Sequence, residues 1–161
     1  MLSLPKPLIH CNLKSRNVLL TRELDAKLTD FGVFRERLDH TMTAGIGTML
    51  WMAPEVMRGD CYGDKADVFS FDVVLSELDV HTLPHLAAKS KAKAEGSRQV
   101  GDMAVLHQVA MGKMTVEFAN IGPSDMATLG RECVDIDPEK RPTAAMAMYR
   151  LQVALAQSRM E

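Results

Sequence analysis

The sequence predicts a mainly helical fold with one small β-hairpin, on three observations. Residues 65–78 carry eight apolar side chains that cover almost the whole circumference of a helix at about 3.6 residues per turn, so this helix is expected to be buried on all sides. Three further helices are predicted over residues 102–111, 124–134 and 143–157. Two short apolar stretches near the start of the chain are typical of a hairpin.

The elements of the first half follow from local patterns. The hairpin is predicted from residues 18–21 and 26–29, which flank a polar turn. Residues 33–48 carry charges, threonines and glycines without an apolar period, which predicts a mobile surface segment. Pro54 favours the start of a short helix that ends near Gly59, because proline is tolerated in a first helical turn.

Two features of the second half have both a structural and a binding interpretation. The small, charged, glycine-containing stretch 89–98 favours a solvated loop over a nucleic-acid contact. The methionines of the predicted helices favour adaptable core packing over a binding surface. These methionines are Met103, Met111, Met126, Met146 and Met148.

The composition is that of an ordinary globular domain, with 161 residues of which 47% are hydrophobic and 25% are charged. A net charge of -2 and a pI near 6.2 provide no basic field for nucleic acid, and no apolar run is long enough to span a bilayer. Cys11, Cys61 and Cys133 are odd in number and widely spaced, which predicts thiols without disulfides or zinc in a reducing compartment. Because the first residues lack the apolar core of a signal peptide, a cytoplasmic protein is expected.

Six short motifs, each weak alone, become specific through their order and spacing. They are His10-Cys11-Asn12-Leu13-Lys14 with Asn17, Asp30-Phe31-Gly32, Gly47-Thr48, Ala53-Pro54-Glu55, Asp67-Val68-Phe69-Ser70-Phe71 and Asp137-Pro138-Glu139-Lys140-Arg141-Pro142. In this order they resemble the large, C-terminal lobe (C-lobe) of a serine/threonine or tyrosine-kinase-like protein kinase. The resemblance implies a partial protein kinase domain over residues 1–161, with a catalytic loop, an activation segment that runs from Asp30 to Glu55, and the C-lobe helices.

The resemblance also implies ATP and Mg²⁺ as cofactors, and a protein substrate or partner kinase as the partner. Asn17 and Asp30 match the family's metal ligands, and Lys14 matches the lysine that contacts the transferred phosphate. The implied cofactor-binding set is therefore Lys14, Asn17 and Asp30. Thr48 matches the threonine that binds this lysine in kinases acting on hydroxyl amino acids, so serine/threonine specificity is expected.

Four matched residues have architectural roles in the family. Glu55 and Arg141 match a buried ion pair that joins the end of the activation segment to the last helices. Asp67 matches a buried carboxylate that ties down the catalytic-loop backbone, although the helix dipole alone also favours an acid in a first helical turn. His10 is expected to pack under the loop rather than to act as a base.

Three substitutions depart from the family pattern. Asn12 stands at the position of the catalytic Asp, and an amide can position a hydroxyl group but cannot take its proton. Cys11 replaces the Arg that pairs with a phosphorylated activation loop, so the candidate phosphosites Thr41 and Thr43 would find no guanidinium there. Asp72 replaces a Gly in the middle of the buried helix, where an unpaired carboxylate is costly.

The motifs of the small, N-terminal lobe (N-lobe) are missing from this sequence. No Gly-rich loop, Val-Ala-Ile-Lys strand or Glu-bearing helix precedes residue 8. Tight ATP binding by this chain alone is therefore not expected. The helix that packs before the catalytic loop in the family is missing too, which predicts exposed apolar surface at Phe69 and Phe71.

Three functions stay open at this point. The chain is predicted to be inactive as given and to act as a pseudokinase-like interaction module. The alternative is a fragment of an active serine/threonine kinase whose N-lobe lies outside this chain. A truncated product that folds poorly is the third possibility.

Overall fold

The computed structural model describes residues 8–31, 46–61, 63–86, 101–119 and 124–158. Within these residues the chain forms one two-stranded sheet and five α-helices, so the predicted mainly helical fold with a small hairpin is confirmed. The elements are β1 (Val18–Leu20), β2 (Ala26–Leu28), α1 (Pro54–Arg58), α2 (Asp64–Val80), α3 (Asp102–Ala110), α4 (Ser124–Cys133) and α5 (Ala144–Ser158). The same residues include short 3-10 helices at Ser15–Asn17, Ile46–Trp51 and Pro138–Lys140.

The hairpin connects the catalytic loop to the start of the activation segment. β1 and β2 pair antiparallel, with Val18 opposite Leu28. The Thr21 N–H donates to the Asp25 carbonyl oxygen at 2.9 Å and closes the turn between the strands. Because β2 returns towards the start of β1, it carries Asp30 back beside the catalytic loop.

The helices lie within two residues of their predicted bounds, but the activation segment differs from its prediction. The prediction of a mobile surface segment is wrong for residues 46–48, which belong to the 3-10 helix Ile46–Trp51. The physical reason is that Leu50 and Trp51 are buried in the core and anchor this end of the segment. The rest of the predicted segment, like the predicted loop 89–98, lies outside the described residues.

Helix α2 runs through the core and packs against the 3-10 helix Ile46–Trp51, α4 and α5. Phe69 of α2 is only 2% exposed, so the prediction that it lies on exposed surface is wrong. Its ring packs beneath the Arg141 guanidinium, whose central carbon lies 5.0 Å from the ring centroid. The core cluster around Phe69 comprises Leu50, Trp51, Ala53, Ala66, Val73, Val74, Val105, Leu106, Val109, Val116 and Val134.

The methionines of the outer helices point mostly to solvent. The prediction of core packing is wrong for Met103, Met111, Met146 and Met148, each of which is more than half exposed. In α3 the buried positions are taken by valine and leucine side chains, and in α5 by alanines such as Ala147, so the methionines of these helices lie on their outer faces.

Two local signals set the ends of helices that matter for the site. α1 begins at Pro54 and ends at Arg58, where it is capped by Gly59, whose φ of 75° is a conformation that glycine adopts at little cost. At the start of α5 the Thr143 hydroxyl accepts the Met146 N–H at 3.2 Å and caps the helix. No helix in the described ranges has both the length and the apolar character needed to cross a bilayer.

Candidate active site

The catalytic loop is held by one carboxylate of the central helix. Asp67, in the first turn of α2, accepts the His10 N–H at 2.6 Å and the Cys11 N–H at 2.9 Å. Burial raises the pKa of Asp67 above its ordinary value, while the two backbone hydrogen bonds act in the opposite direction. Cys11 has a φ of 63°, so these bonds hold a non-glycine residue in the left-handed region.

His10 links this loop to the end of the hairpin. Its ring is 3% exposed, with Nε2 2.8 Å from the Thr29 carbonyl oxygen and Nδ1 3.2 Å from the Asn12 backbone nitrogen. Because a carbonyl can only accept and an amide N–H can only donate, Nε2 carries the proton and Nδ1 accepts. The ring also packs on Phe31, with the ring centroids 4.4 Å apart. Both nitrogens are therefore engaged in holding the loop.

Asn17 and Asp30 lie together at this end of the hairpin. Asn17 is buried, and its Nδ2 donates to the Asn12 carbonyl oxygen at 2.8 Å. Since that carbonyl must face the amide nitrogen, the Asn17 side-chain oxygen points elsewhere and keeps its lone pairs for another partner. The Thr29 N–H donates to the Asn17 carbonyl oxygen at 3.0 Å, which brings the next residue, the exposed Asp30, alongside Asn17.

The remaining candidates divide into described and undescribed residues. Asn12 and Lys14 are both partly exposed, and Lys14 is extended, with φ of -160° and ψ of 161°, just before the 3-10 helix Ser15–Asn17. The backbone of Thr48 lies in the 3-10 helix Ile46–Trp51, but its side chain lies outside the described part. Thr41 and Thr43 lie wholly outside the described residues.

The oxygen donors fit a hard cation. Asp30 provides a carboxylate and Asn17 an amide oxygen, and Mg²⁺ is commonly held by one or two carboxylates while water and phosphate complete its shell. In the described ranges no three side chains of His, Cys, Asp or Glu converge to form a metal site from protein acids alone. The donor set therefore suits a cation that arrives with a phosphate ligand.

At the far end of the activation segment, Glu55 and Arg141 form a buried two-bond ion pair. Arg141 Nη1 and Nη2 donate to the two Glu55 carboxylate oxygens at 2.7 and 2.8 Å, and both side chains are nearly inaccessible to solvent. Arg141 also donates to the carbonyl oxygens of Asp135, at 2.8 Å, and Lys65, at 3.0 Å. The Lys65 ammonium in turn donates to the Arg141 carbonyl oxygen. Because every residue has a backbone carbonyl group, the sequence does not predict these three contacts.

Asp72 is fully buried in the middle of α2. Neither of its carboxylate oxygens has a hydrogen-bond partner within the described residues. Burial raises the pKa of Asp72 from 3.8 to about 8. The Cys133 thiol is also fully buried, and burial first and Asp72 second raise its pKa to about 12, so it stays a neutral thiol.

Sequence reasoning missed a contact at Glu77, in the last turns of α2. This carboxylate accepts the Trp51 indole N–H at 2.6 Å and the Ser15 hydroxyl at 3.2 Å. None of the six motifs includes these three residues. The available signal was an acid in an otherwise apolar helix, which requires partners when that helix is buried.

An open apolar groove of about 430 Å³ lies between α2 and α5. Phe71 lines it and is partly exposed, as the sequence predicts for this residue. Leu8, which is 79% exposed, lies at the same groove. Apart from Asp64, Asp67 and Gln152, the side chains that line this groove are apolar.

Comparison with known proteins identifies the family. The family model described as "Protein kinase domain" matches residues 5–151. Human mitogen-activated protein kinase kinase kinase 10 is 36% identical over 157 residues, which cover 92% of this chain and 15% of that protein. Human mitogen-activated protein kinase kinase kinase 11 is 33% identical over 94% of this chain and 17% of its own length.

A Dictyostelium discoideum protein, probable serine/threonine-protein kinase DDB_G0267514, is 32% identical over 84% of this chain and 14% of its own length. The chain thus spans about a sixth of the length of these relatives. The matched residues 5–151 include the catalytic loop, the hairpin and the Glu55–Arg141 pair described above. The chain belongs to the protein kinase domain family.

Proposed function

We propose that this chain is a degenerate serine/threonine-type kinase module that binds another protein, a substrate or a partner kinase, and does not itself transfer phosphate. The observation that carries the proposal is Asn12 at the position of the catalytic acid in a loop whose supports are in place. Asp67 holds the loop backbone, and Asn17 holds the Asn12 carbonyl oxygen. What is lost is the base, because an amide cannot take the proton of an attacking hydroxyl.

The family generally uses ATP and Mg²⁺, and the residues of this chain fit a weak version of that site. When bound, the cation would neutralise charge on the nucleotide's phosphates. Asp30 and the side-chain oxygen of Asn17 would hold it, and Lys14 would contact the terminal phosphate. Asp30 and Asn17 both lie at the catalytic-loop end of the hairpin, so nucleotide contact is expected to depend on the cation.

The first prediction concerns nucleotide binding by the purified chain. We expect weak ATP binding that requires Mg²⁺, because only one side of the nucleotide site is present. Asp30→Asn should lower the Mg²⁺-dependent affinity for ATP at least about tenfold. Asp25→Asn, at an exposed acid in the turn of the same hairpin, is the matched control and should leave it unchanged. Calorimetry with and without Mg²⁺ measures the ATP affinity of both variants. Equal binding by the Asp30→Asn and parent chains would contradict the proposed role of Asp30 as a cation ligand.

The second prediction concerns Asn12. In a fusion of this chain to the N-lobe of human mitogen-activated protein kinase kinase kinase 10, Asn12→Asp is expected to raise peptide phosphorylation about 10²- to 10⁴-fold. The intact relative's kinase domain serves as the positive control. Asp30→Asn added to the Asn12→Asp fusion should remove the gain, which would show that the turnover comes from this site. Equal rates for the fusions with and without the Asn12→Asp change would rule out the proposal.

A second candidate function is a fragment of an active serine/threonine kinase whose N-lobe lies outside this chain. The observation that favours it is the retention of Lys14, Asn17 and Asp30, with the last two brought together by the bond between Thr29 and Asn17. The same fusion distinguishes the two candidate functions, because a fragment of an active kinase would phosphorylate the peptide even with Asn12 in place.

A further inference from the structure

The contact between α2 and α4 contains an acid and a thiol that the candidate active site does not use. Asp72 of α2 and Cys133 of α4 are both 0% exposed. They lie close enough for the Asp72 charge to contribute to the raised pKa of the Cys133 thiol. One turn of α2 before Asp72, Val68 belongs to an apolar cluster that joins α2, α4 and α5. Its other buried members are Leu129, Cys133 and Ala147.

No cation compensates the Asp72 carboxyl within the part of the chain that the structure describes. Neither of its oxygens has a hydrogen-bond partner there. The Arg141 guanidinium binds Glu55, so it is already engaged. Arg150 of α5 pairs with Glu132 of α4 at the protein surface. The charged groups of α4, of α5 and of the segment before α5 therefore leave Asp72 in an apolar environment.

The two 3-10 helices that pack against α2 provide no partner either. Ile46–Trp51 contains no ionisable side chain, and the Glu139 and Lys140 side chains of Pro138–Lys140 are exposed. Burial is accordingly what raises the pKa of Asp72 to about 8. While the contact between α2 and α4 is closed, the carboxyl keeps its proton at neutral pH.

Separation of α2 from α4 would expose this carboxyl to water. The pKa of Asp72 would then return towards its ordinary value of 3.8, and the carboxyl would release its proton to the solvent. Because a rise in pH favours the state that binds fewer protons, it favours the open contact. The same separation would uncover Cys133, and the pKa of its thiol would fall from about 12 towards the ordinary range.

We propose that the contact between α2 and α4 is a pH-sensitive device, which opens as the Asp72 carboxyl releases a proton to water and then exposes the Cys133 thiol to solvent. A rise in pH thereby makes a fully buried thiol accessible to a thiol reagent. The device uses none of the candidate active-site residues, so it is independent of the proposed function.

The test follows the reaction of Cys133 with N-ethylmaleimide in the full chain at several pH values. Mass spectrometry of the tryptic peptide 132–140 measures Cys133, and peptide 59–65 measures the exposed Cys61, which corrects for the reactivity of the reagent. Asp72→Asn is the informative variant, because its side chain has the same size but cannot ionise. The ratio of the Cys133 rate in the parent to that in Asp72→Asn should rise about tenfold between about pH 6 and about pH 7, and level off above about pH 8.

Asp64→Asn, at an exposed acid in the first turn of α2, is the matched control. Its Cys133 rate, divided by that of Asp72→Asn, should rise with pH as the parent ratio does. If Asp72→Asn does not fold, Asp72→Ala takes its place, because alanine cannot ionise and suits a helix interior. A parent ratio that stays constant across this pH range would overturn the proposal.

Urea distinguishes opening of this contact from unfolding of the whole chain. Local opening exposes little surface, so the Cys133 rate should increase with urea less than about half as steeply as the global unfolding constant measured by circular dichroism. Equal urea dependence of the two quantities would show that Cys133 reacts only through global unfolding, and the proposed device would then be wrong.

Discussion

Replacement of Arg141 by methionine is expected to lower the free energy of unfolding by about 3–5 kcal/mol. The change leaves the Glu55 carboxylate buried without its cation, because Glu55 is only 3% exposed. It also removes the donors to the carbonyl oxygens of Asp135, in the loop after α4, and of Lys65, at the start of α2. Denaturant unfolding followed by far-ultraviolet circular dichroism measures the loss.

The chain offers a matched control in a solvent-exposed ion pair. Arg150 contacts Glu132 with side chains that are 33% and 45% exposed, so Arg150→Met should cost less than about 1 kcal/mol. The double change of Glu55→Leu with Arg141→Met should cost less than Arg141→Met alone, because no uncompensated charge remains. Similar losses for Arg141→Met and Arg150→Met would contradict the role of burial.

Replacement of Asp72 by alanine is expected to stabilise the chain at about pH 7, by up to about 4 kcal/mol. Burial raises the pKa of this carboxyl from 3.8 to about 8, so the folded state holds a proton that the unfolded state releases. The parent protein should therefore lose stability as the pH rises from about 4 to about 8, and the Asp72 contribution should change little outside that range. Alanine cannot ionise and suits a helix interior.

The measurement is the difference in free energy of unfolding between the parent and Asp72→Ala across this pH range. Taking the difference removes every pH-dependent contribution that the two proteins share. Asp64→Asn, at an exposed acid in the first turn of the same helix, should change stability by less than about 1 kcal/mol and leave the parent's pH dependence in place. Parallel profiles for the parent and Asp72→Ala would show that Asp72 is not protonated in the folded chain.

The two expected changes have opposite signs although both concern buried charge in the core. Arg141 has a hydrogen-bond acceptor for each of its guanidinium nitrogens, so removing it destroys compensated contacts. Asp72 has no such partner in the described residues, so removing it relieves a desolvation penalty. Burial alone therefore does not decide whether a charged side chain stabilises the fold.

Much of the architecture could be predicted because it depends on neighbours along the chain. The apolar pattern of residues 65–78 predicted α2, Pro54 and Gly59 predicted the ends of α1, and the polar turn predicted the hairpin. The prediction of core packing for the methionines was wrong because the apolar character of a side chain does not indicate which face of a helix packs against the core. The predicted exposure of Phe69 was wrong because the guanidinium that covers its ring belongs to Arg141, which is distant in sequence.

The site could be predicted only in part for the same reason. The motifs predicted the candidate site residues, and the chemistry of Asn12 follows from its side chain alone. They did not reveal the tautomer of His10, which is set by the Thr29 carbonyl oxygen and the Asn12 N–H. Nor did they reveal the contacts of Glu77, since neither of its partners belongs to a motif.

The sequence by itself determined the helical pattern, the family resemblance and the replacement of an acid by an amide at position 12, because each is a property of residue types and their spacing. Only the tertiary structure decided that Arg141 also donates to the carbonyl oxygens of Asp135 and Lys65, that Asp72 lacks a partner in the described residues, and that Glu77 contacts both Trp51 and Ser15. The physical reason is that hydrogen bonds and desolvation depend on distances of a few ångströms, which are set when distant parts of the chain pack together.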